Sequence, residues 1–389
     1  MIEILREGIN ISIRNISVKI HGLKKYPGND EEICRQIIDS CYNKKMAGKN
    51  SSGCFNASSG NYKVFYSRDF GWCVESLLNL GYEKQVKETL RYVLEKYEDN
   101  KEITVAINAG GKCFNFPDIY SPDSVAYLFR SLRIAKSKDL IMKYKEFLNS
   151  QIHVFEQEVL DLGNKNNQGI IRDKNFSGMR DHNKNNRSCY DMIMACMLSD
   201  EVVKINKLMG KKILDEKLSK YDLKKKLVKY YWTKTRNGAY FKDSLTENYC
   251  SGHANVYPYF LDIITDKKML ESSVDSIIKN KLDKPIPLKY GYGNNTKFLW
   301  YNIFAPDWEK NTSWAMLGLA YISVVSRLDR DMAKKYLKHY QDKIIEYKSF
   351  IELYDEGKPY KSLFFTSDES MLWASMYLDL KKKLRIKKN

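Results

Sequence analysis

Six stretches of the chain are apolar on most sides and nearly free of lysine: 74–80, 125–132, 192–198, 256–264, 314–325 and 371–378. Helices that are apolar all round are buried helices. A polar turn opens each stretch: Arg68-Asp69-Phe70, Ser121-Pro122-Asp123, Ser188-Cys189-Tyr190-Asp191, Ser251-Gly252-His253, Asn311-Thr312-Ser313 and Ser367-Asp368-Glu369. Ser, Asp and Asn at these points predict helix N-caps, because their side-chain oxygens accept from the orphan N–H groups of a first turn. The six starts recur about every 55 to 65 residues. Between them run Lys- and Glu-rich patterns with one apolar face, at 83–97, 138–159, 217–231, 267–281 and 330–347, preceded by one from Asp30 to about Lys45. Six buried helices alternating with six amphipathic ones predict an all-α fold, an (α/α)6 barrel or six-hairpin toroid.

Outside that series, Ile9, Ile11, Ile13, Ile16, Val18 and Ile20 alternate weakly with polar residues. Residues 1–29 are therefore expected as a short extended segment packed on the barrel, and residues 30–389 as the barrel itself. No Pro- or Ser-rich linker interrupts the chain, so one domain is expected overall. A strand is predicted at Gly238-Ala239-Tyr240-Phe241, just after the turn residues Arg236-Asn237.

Composition narrows the classes of function. Of the 389 residues 43% are hydrophobic, enough for a substantial core. No apolar run approaches the ~20 residues of a membrane span. The first residues carry acidic charge and lack a signal-like apolar run, so a soluble cytoplasmic protein with no membrane partner is expected. The formal charge of +17 could attract anions. Its basic runs, such as Lys224-Lys225-Lys226 and Lys381-Lys382-Lys383, sit in or just after helical patterns and beside no RNA or DNA motif. They read as outward helix faces, and no nucleic-acid partner is expected. Eight scattered cysteines form no CxxC pair and no zinc spacing, so free thiols are expected, with no metal and no cofactor.

In a hairpin barrel the inner helices run one way and their N-termini converge on one face, which makes a natural pocket. Polar residues out of place in buried helices then read as its rim: Arg68, Asp69, Asp123, Asp181, His182, His253, Asn255 and Glu352. Aromatic residues accompany them: Tyr66, Trp72, Tyr257, Trp300, Tyr301, Trp308 and Trp314. Carboxylates beside aromatic platforms suit a carbohydrate, whose ring faces stack while its hydroxyls bond acids and arginine.

These segments resemble the catalytic barrel of the glucoamylases, glycoside hydrolase family 15, within the six-hairpin glycosidases. Tyr66-Ser67-Arg68-Asp69 is similar to that family's Trp-x-Arg-Asp, whose Arg and Asp hold the terminal sugar. Ser121-Pro122-Asp123-Ser124-Val125-Ala126 is similar to its Arg-x-Asp-Gly-x-Ala segment. Gly178-Met179-Arg180-Asp181-His182 lies where the family has Gly-Leu-Trp-Glu-Glu, which puts Asp181 on the general-acid position. Pro306-Asp307-Trp308 through Trp314 resembles its Pro-Glu-Asp-x-Tyr to Asn-Pro-Trp stretch. Ile351-Glu352-Leu353-Tyr354-Asp355, with Thr366-Ser367-Asp368-Glu369, resembles its closing segment and puts Glu352 on the general-base position. The resemblance implies an inverting, exo-acting glycoside hydrolase, with an acid and a base about 6.5 to 9.5 Å apart to admit a water.

Departures from the family are specific. Asp stands for Glu at the acid position, and Arg180 and His182 replace Trp and Glu. The Ser251–Asn255 segment has no clear counterpart there. Asp191, at the start of a buried helix, is a rival acid, with Glu247 behind it. A soluble oligosaccharide or a glycoconjugate is expected as substrate rather than starch. A sugar-binding protein that kept the barrel without turnover is the alternative, while an isoprenoid cyclase is disfavoured by the missing Asp-rich motifs.

Overall fold

The computed structural model describes residues 2–49, 51–163, 168–180, 186–236, 238–291, 305–363 and 365–385. Among them six helices make the inner wall: α3 (Ser67–Asn79), α5 (Pro122–Ile134), α8 (Cys189–Met209), α10 (Gly252–Phe260), α12 (Ala315–Val325) and α14 (Ala374–Leu384). Each packs on the next, and α14 packs back on α3, so the ring closes. Outside lie α2 (Asp30–Cys41), α4 (Glu83–Asn100), α6 (Lys138–Lys143), α7 (Lys145–Val159), α9 (Leu223–Tyr231), α11 (Lys267–Lys279) and α13 (Arg330–Tyr347). The fold is the expected (α/α)6 barrel.

The inner helices follow their composition. In α12 every residue but Ser323 is buried, and in α5 eleven of thirteen are. Gly318 shows why size matters on this wall, since a Cβ there would overlap the Tyr340 hydroxyl and the Pro287 carbonyl. The outer helices keep one wet face, with two interruptions that periodicity alone did not show. The 138–159 pattern breaks at Tyr144 into α6 and α7, and the 217–231 pattern breaks at Asp222, whose φ is +50°.

Three expectations are corrected. Residues Ile2–His21 form a helix, α1, and not an extended segment. Ile9, Ile13, Ile16 and Ile20 also follow spacings of four, three and four, which is the helical period, and the alternation among Ile9, Ile11 and Ile13 obscured it. Trp314 and Met371–Trp373, expected inside the buried helices, precede α12 and α14 and do not belong to them. Ser313–Trp314 is a strand paired with Leu353–Tyr354. Of the six inner helices, α8 alone has a cap residue whose side chain accepts a first-turn N–H, at Ser188. Elsewhere the rim side chains bond one another: the Ser121 hydroxyl donates to Asp123 Oδ1 at 2.7 Å. The hairpin at Gly238–Phe241 is present, paired with Trp232–Thr235.

Candidate active site

The inner-helix N-termini meet, as their side-chain contacts show. Strand Phe65–Tyr66 pairs with Ala106–Ile107 and delivers the chain into the first turn of α3, where Arg68 and Asp69 stand. Arg68 Nε donates to Asp123 Oδ2 at 2.5 Å. The Tyr190 hydroxyl donates to the same oxygen at 3.1 Å, so α3, α5 and α8 are joined through one fully buried carboxylate. Asp69 Oδ1 accepts from Trp373 Nε1 at 3.1 Å, which joins α3 to the entry of α14. Below them Trp72 donates to the Tyr127 hydroxyl at 2.7 Å and packs against Tyr257 and Trp373. Burial pushes the Asp69 carboxyl up to about 7, with Arg68 opposing it.

Glu352 sits opposite a loop that returns to it. Its carbonyl accepts from Ala315 N at 2.9 Å, which ties it to the first residue of α12. Burial pushes its carboxyl up to about 8; Asp368 and Asp69 add to the rise, while the Asp368 amide and Arg14 oppose it. Asp368 is fully buried and accepts from the Ser58 hydroxyl and from the amides of Asn61 and Glu369, both at 2.8 Å. Burial raises it as well, against Arg14 and these donors. Arg14 arrives from α1. It donates to the carbonyls of Thr366 at 2.8 Å and Ser367 at 3.1 Å, and it pairs with Asp368 and Glu369.

A third cluster lies around a cavity of about 40 Å³ lined by Gly178, Arg180, Tyr190, Asp191, Asp243 and His253, among others. Arg180 donates to the Tyr249 hydroxyl at 2.8 Å, lies 3.5 Å from Asp243 Oδ1, and stacks over Tyr290 at 5.5 Å. Burial would raise Asp243, but the Arg180 charge, the His253 charge where that ring is protonated, and its hydrogen bonds hold it below the usual carboxylate value. Burial lowers His253 to about 4 despite Asp243, with Arg180 adding to the fall. His253 is therefore neutral near pH 7, with Nε2 facing Asp243 Oδ1 at 3.4 Å and Nδ1 without a hydrogen bond to any described residue. Asp191 accepts from the Ser188 hydroxyl at 2.6 Å. Burial pushes it up to about 7, against that bond, and Asp123 adds to the rise. The cluster thus holds a fixed cation, a fixed anion and a carboxyl that exchanges its proton near neutrality.

Arg68, Asp69, Trp72 and Asp123 stand at the entry of α3 and α5, Glu352 is tied to Asp368 and to the first residue of α12, and His253 lines the small cavity. Trp308 and Trp314 pack edge-on at 5.2 Å, and Tyr66 packs on Tyr62. Asn255 has its amide occupied elsewhere: it bonds Phe241 N and Phe241 O, both at 2.8 Å, and pins the hairpin to α10. Asp181, His182, Trp300 and Tyr301 lie outside the described residues. Sequence reasoning missed Arg14, Tyr190, Asp243, Tyr249 and Trp373. A polar pair inside an isoleucine-rich run, Arg14-Asn15, was the available signal for the first. Asp243 followed a predicted strand and carried no cap pattern.

Among the described residues no group of three or more His, Cys, Asp or Glu could hold a metal, and no helix is long and apolar enough to cross a membrane. No family model matches the chain, and no curated protein sequence does. Solved structures do match. A Streptococcus pneumoniae α-mannosidase, described as one of a metal-independent family and solved with α-1,6-mannobiose, aligns over 99% of both chains with a TM-score of 0.65 at 12% identity. A Klebsiella oxytoca rhamnosidase solved with rhamnose aligns over 91% of this chain and 64% of its own, with a TM-score of 0.59 at 12% identity. A glycosidase solved with glucose aligns over 92% of this chain and 97% of its own, with a TM-score of 0.63 at 10% identity. At such identities the likeness is one of fold, and that fold is the barrel of the six-hairpin glycosidases.

Proposed function

We propose that the protein is a glycoside hydrolase that needs no metal and acts by single displacement on the terminal residue of a soluble oligosaccharide or glycoconjugate. Arg68 and Asp69 would hold the outer hydroxyls of the terminal sugar above the Trp72 floor. Glu352 would be the general base that activates water. The acid has two candidates: Asp181, from the resemblance to glucoamylases, and Asp191, whose proton burial retains up to about 7. Asp191 is supported by lining a cavity together with a fixed cation and a neutral histidine, while Asp181 lies outside the described residues.

One observation carries this reading. Two buried carboxyls near inner-helix entries, Glu352 and Asp191, are pushed by burial toward neutrality, to about 8 and about 7, while Asp123 and Asp243 beside them are paired with Arg68 and Arg180. Groups with pKa values moved toward the working pH are what acid–base catalysis requires. The sugar-bound state of the glycosidases that share the fold supports a carbohydrate substrate.

The test is turnover on a panel of aryl glycosides and oligosaccharides, mannosides, rhamnosides and glucosides included, with the anomer of the released sugar followed by proton NMR. Inverted product supports single displacement, and retained product removes it. Asp181→Asn and Asp191→Asn measured side by side assign the acid. Calorimetric binding with no turnover on any of the panel would leave a sugar-binding protein instead.

A further inference from the structure

Helix α1 is mounted with its polar side toward the barrel. Asn15 is 3% exposed and its Oδ1 accepts from Thr366 N at 2.9 Å, while Arg14 donates to the Thr366 and Ser367 carbonyls. Val18, half-buried, lies on the same side. With 3.6 residues per turn, Ile13, Ile16 and Ile20 fall on the opposite side, and they are 61%, 61% and 69% exposed. Leu363, 72% exposed, adjoins them, because Lys19 donates to its carbonyl. These four are half of the eight large apolar side chains exposed among the described residues, so the apolar surface is concentrated here. In the sequence the same spacing continues back through Ile9, Leu5 and Ile2, which extends the row over a helix of 20 residues, about 30 Å long.

A surface helix ordinarily turns its apolar stripe to the core, and α1 does the reverse. Single exposed apolar residues need no partner, but a contiguous row marks a contact surface. The charges along the helix select the occupant. Its first half carries Glu3 and Glu7 against Arg6, and Lys19, His21, Lys24 and Lys25 lie at or just beyond its far end. An antiparallel second α1 sets each acidic half against a basic end and opposes the two helix dipoles. It also brings positions 2 and 20, 5 and 16, and 9 and 13 to one height, isoleucine or leucine against isoleucine. Such self-complementarity is what a two-fold interface requires. An anionic membrane fits less well. Helices that lie in a lipid surface draw on Lys and Arg of their polar face, and here that face is bound to the barrel. With Arg14 paired to Asp368 and Glu369, Glu3 and Glu7 balance Arg6 and Lys19 within the helix.

We propose that α1 is a dimer interface, in which two copies of the chain pair antiparallel through the Ile13, Ile16 and Ile20 row with Leu363 at its edge. The assembly does not depend on hydrolysis. Sedimentation equilibrium of the full chain tests it, and a dimer that dissociates on dilution is expected. Ile16→Lys should weaken dimerisation at least ten-fold and Ile16→Leu leave it within a few-fold, while circular dichroism of the dilute monomers stays the same. Should Ile16→Lys fail to fold, Ile13→Ser combined with Ile20→Ser takes its place. Spin labels at His21→Cys should stand about 30 Å apart or more, whereas a parallel pair would hold them at about 10 Å and overturn the antiparallel arrangement. A monomer at every concentration, whether or not it floats with phosphatidylglycerol vesicles, would overturn the interface. So would a dimer that Ile16→Lys and the double variant leave intact.

Discussion

Glu352 and Asp368 bind each other reciprocally: the Glu352 N–H donates to the Asp368 carbonyl at 2.9 Å, and the Asp368 N–H donates back to Glu352 Oε2 at 2.8 Å. One carboxyl oxygen of Glu352 is thereby fixed to the backbone of the returning loop, while Oε1 forms no hydrogen bond with a described residue. A carboxyl held by one oxygen and open at the other is oriented without being fully occupied. That is the orientation a general base needs before water and substrate arrive, and with the carboxyl pushed up to about 8 Glu352 would act as base in its ionised fraction.

The pH–rate profile follows from the two raised carboxyls. Turnover needs one of them protonated and the other ionised, so kcat/KM should be bell-shaped, with limbs near 7 and 8. A bell reports the pair and not either residue, so its shape does not depend on which of the two gives the proton. Replacing Glu352 or the acid by its amide should cut turnover by about 10²- to 10⁴-fold and leave a single limb. A profile with both limbs below pH 6 would count against this pair.

Stability should run opposite to the usual acid sensitivity of carboxylates. Asp69 and Glu352 have folded-state values raised from 3.8 and 4.5 to about 7 and 8. Between those limits the folded chain binds more protons than the unfolded one, so their contribution is full below about pH 4 and is lost as pH rises through 7 and 8. Glu352→Gln should therefore raise the melting temperature at pH 8.5 by about 2 °C or more relative to wild type, and change it little at pH 5. A gain confined to pH 5 would reverse the assignment. Such a variant would be more stable and inactive, a trade common at functional sites.

The barrel was legible because burial imposes composition: helices such as α12 and α5 admit almost no charge, and that signal repeats six times. The rim was legible where it belonged to a helix entry, as with Arg68, Asp69 and Asp123. It was not legible where distant chain segments meet. Arg14 reaches Asp368 across 354 positions, and no local pattern encodes that contact. Asn255 misled for a related reason. A polar residue in an apolar helix marks either a site or an internal tie, and the difference lies in Phe241, on a separate hairpin.

Arg14→Met tests whether α1 belongs to the working site. The guanidinium lowers Glu352 and pairs with Asp368 and Glu369, so its loss should move the Glu352 limb of the pH profile upward. Arg14→Lys should restore that limb in part. A point charge cannot also serve the Thr366 and Ser367 carbonyls in one plane, as the guanidinium does. A purely structural anchor would lower stability and leave the limb in place.

Gly318→Ala probes the inner wall. The added methyl meets the Tyr340 hydroxyl and a backbone carbonyl, and the backbone cannot rotate away as a flexible side chain would. Overpacking of this kind costs about 1 to 3 kcal/mol, measurable as a shift in the denaturant midpoint. An unchanged midpoint would show that α12 and α13 slide apart freely.

The Arg68–Asp123 pair carries the last prediction. Side-chain exposure is 11% for Arg68 and 0% for Asp123, so neither charge has water to fall back on. Removing one partner leaves the other buried and uncompensated, which costs about 3 to 5 kcal/mol. Asp123 keeps two hydroxyl donors, Ser121 and Tyr190, so Arg68→Met should fall at the lower end of that range. Asp123→Ala should fall at the upper end, because the arginine would lose a carboxylate partner at 2.5 Å and three helix entries would lose their shared tie. Asp123→Asn separates structure from charge. It keeps the shape and two acceptor contacts, and it takes away the charge that adds to the rise burial imposes on Asp191. The acid limb should then move to lower pH while the chain stays folded. If Asp123→Asn melts as early as Asp123→Ala with the limb unmoved, Asp123 is a structural tie alone and Asp191 is not coupled to it.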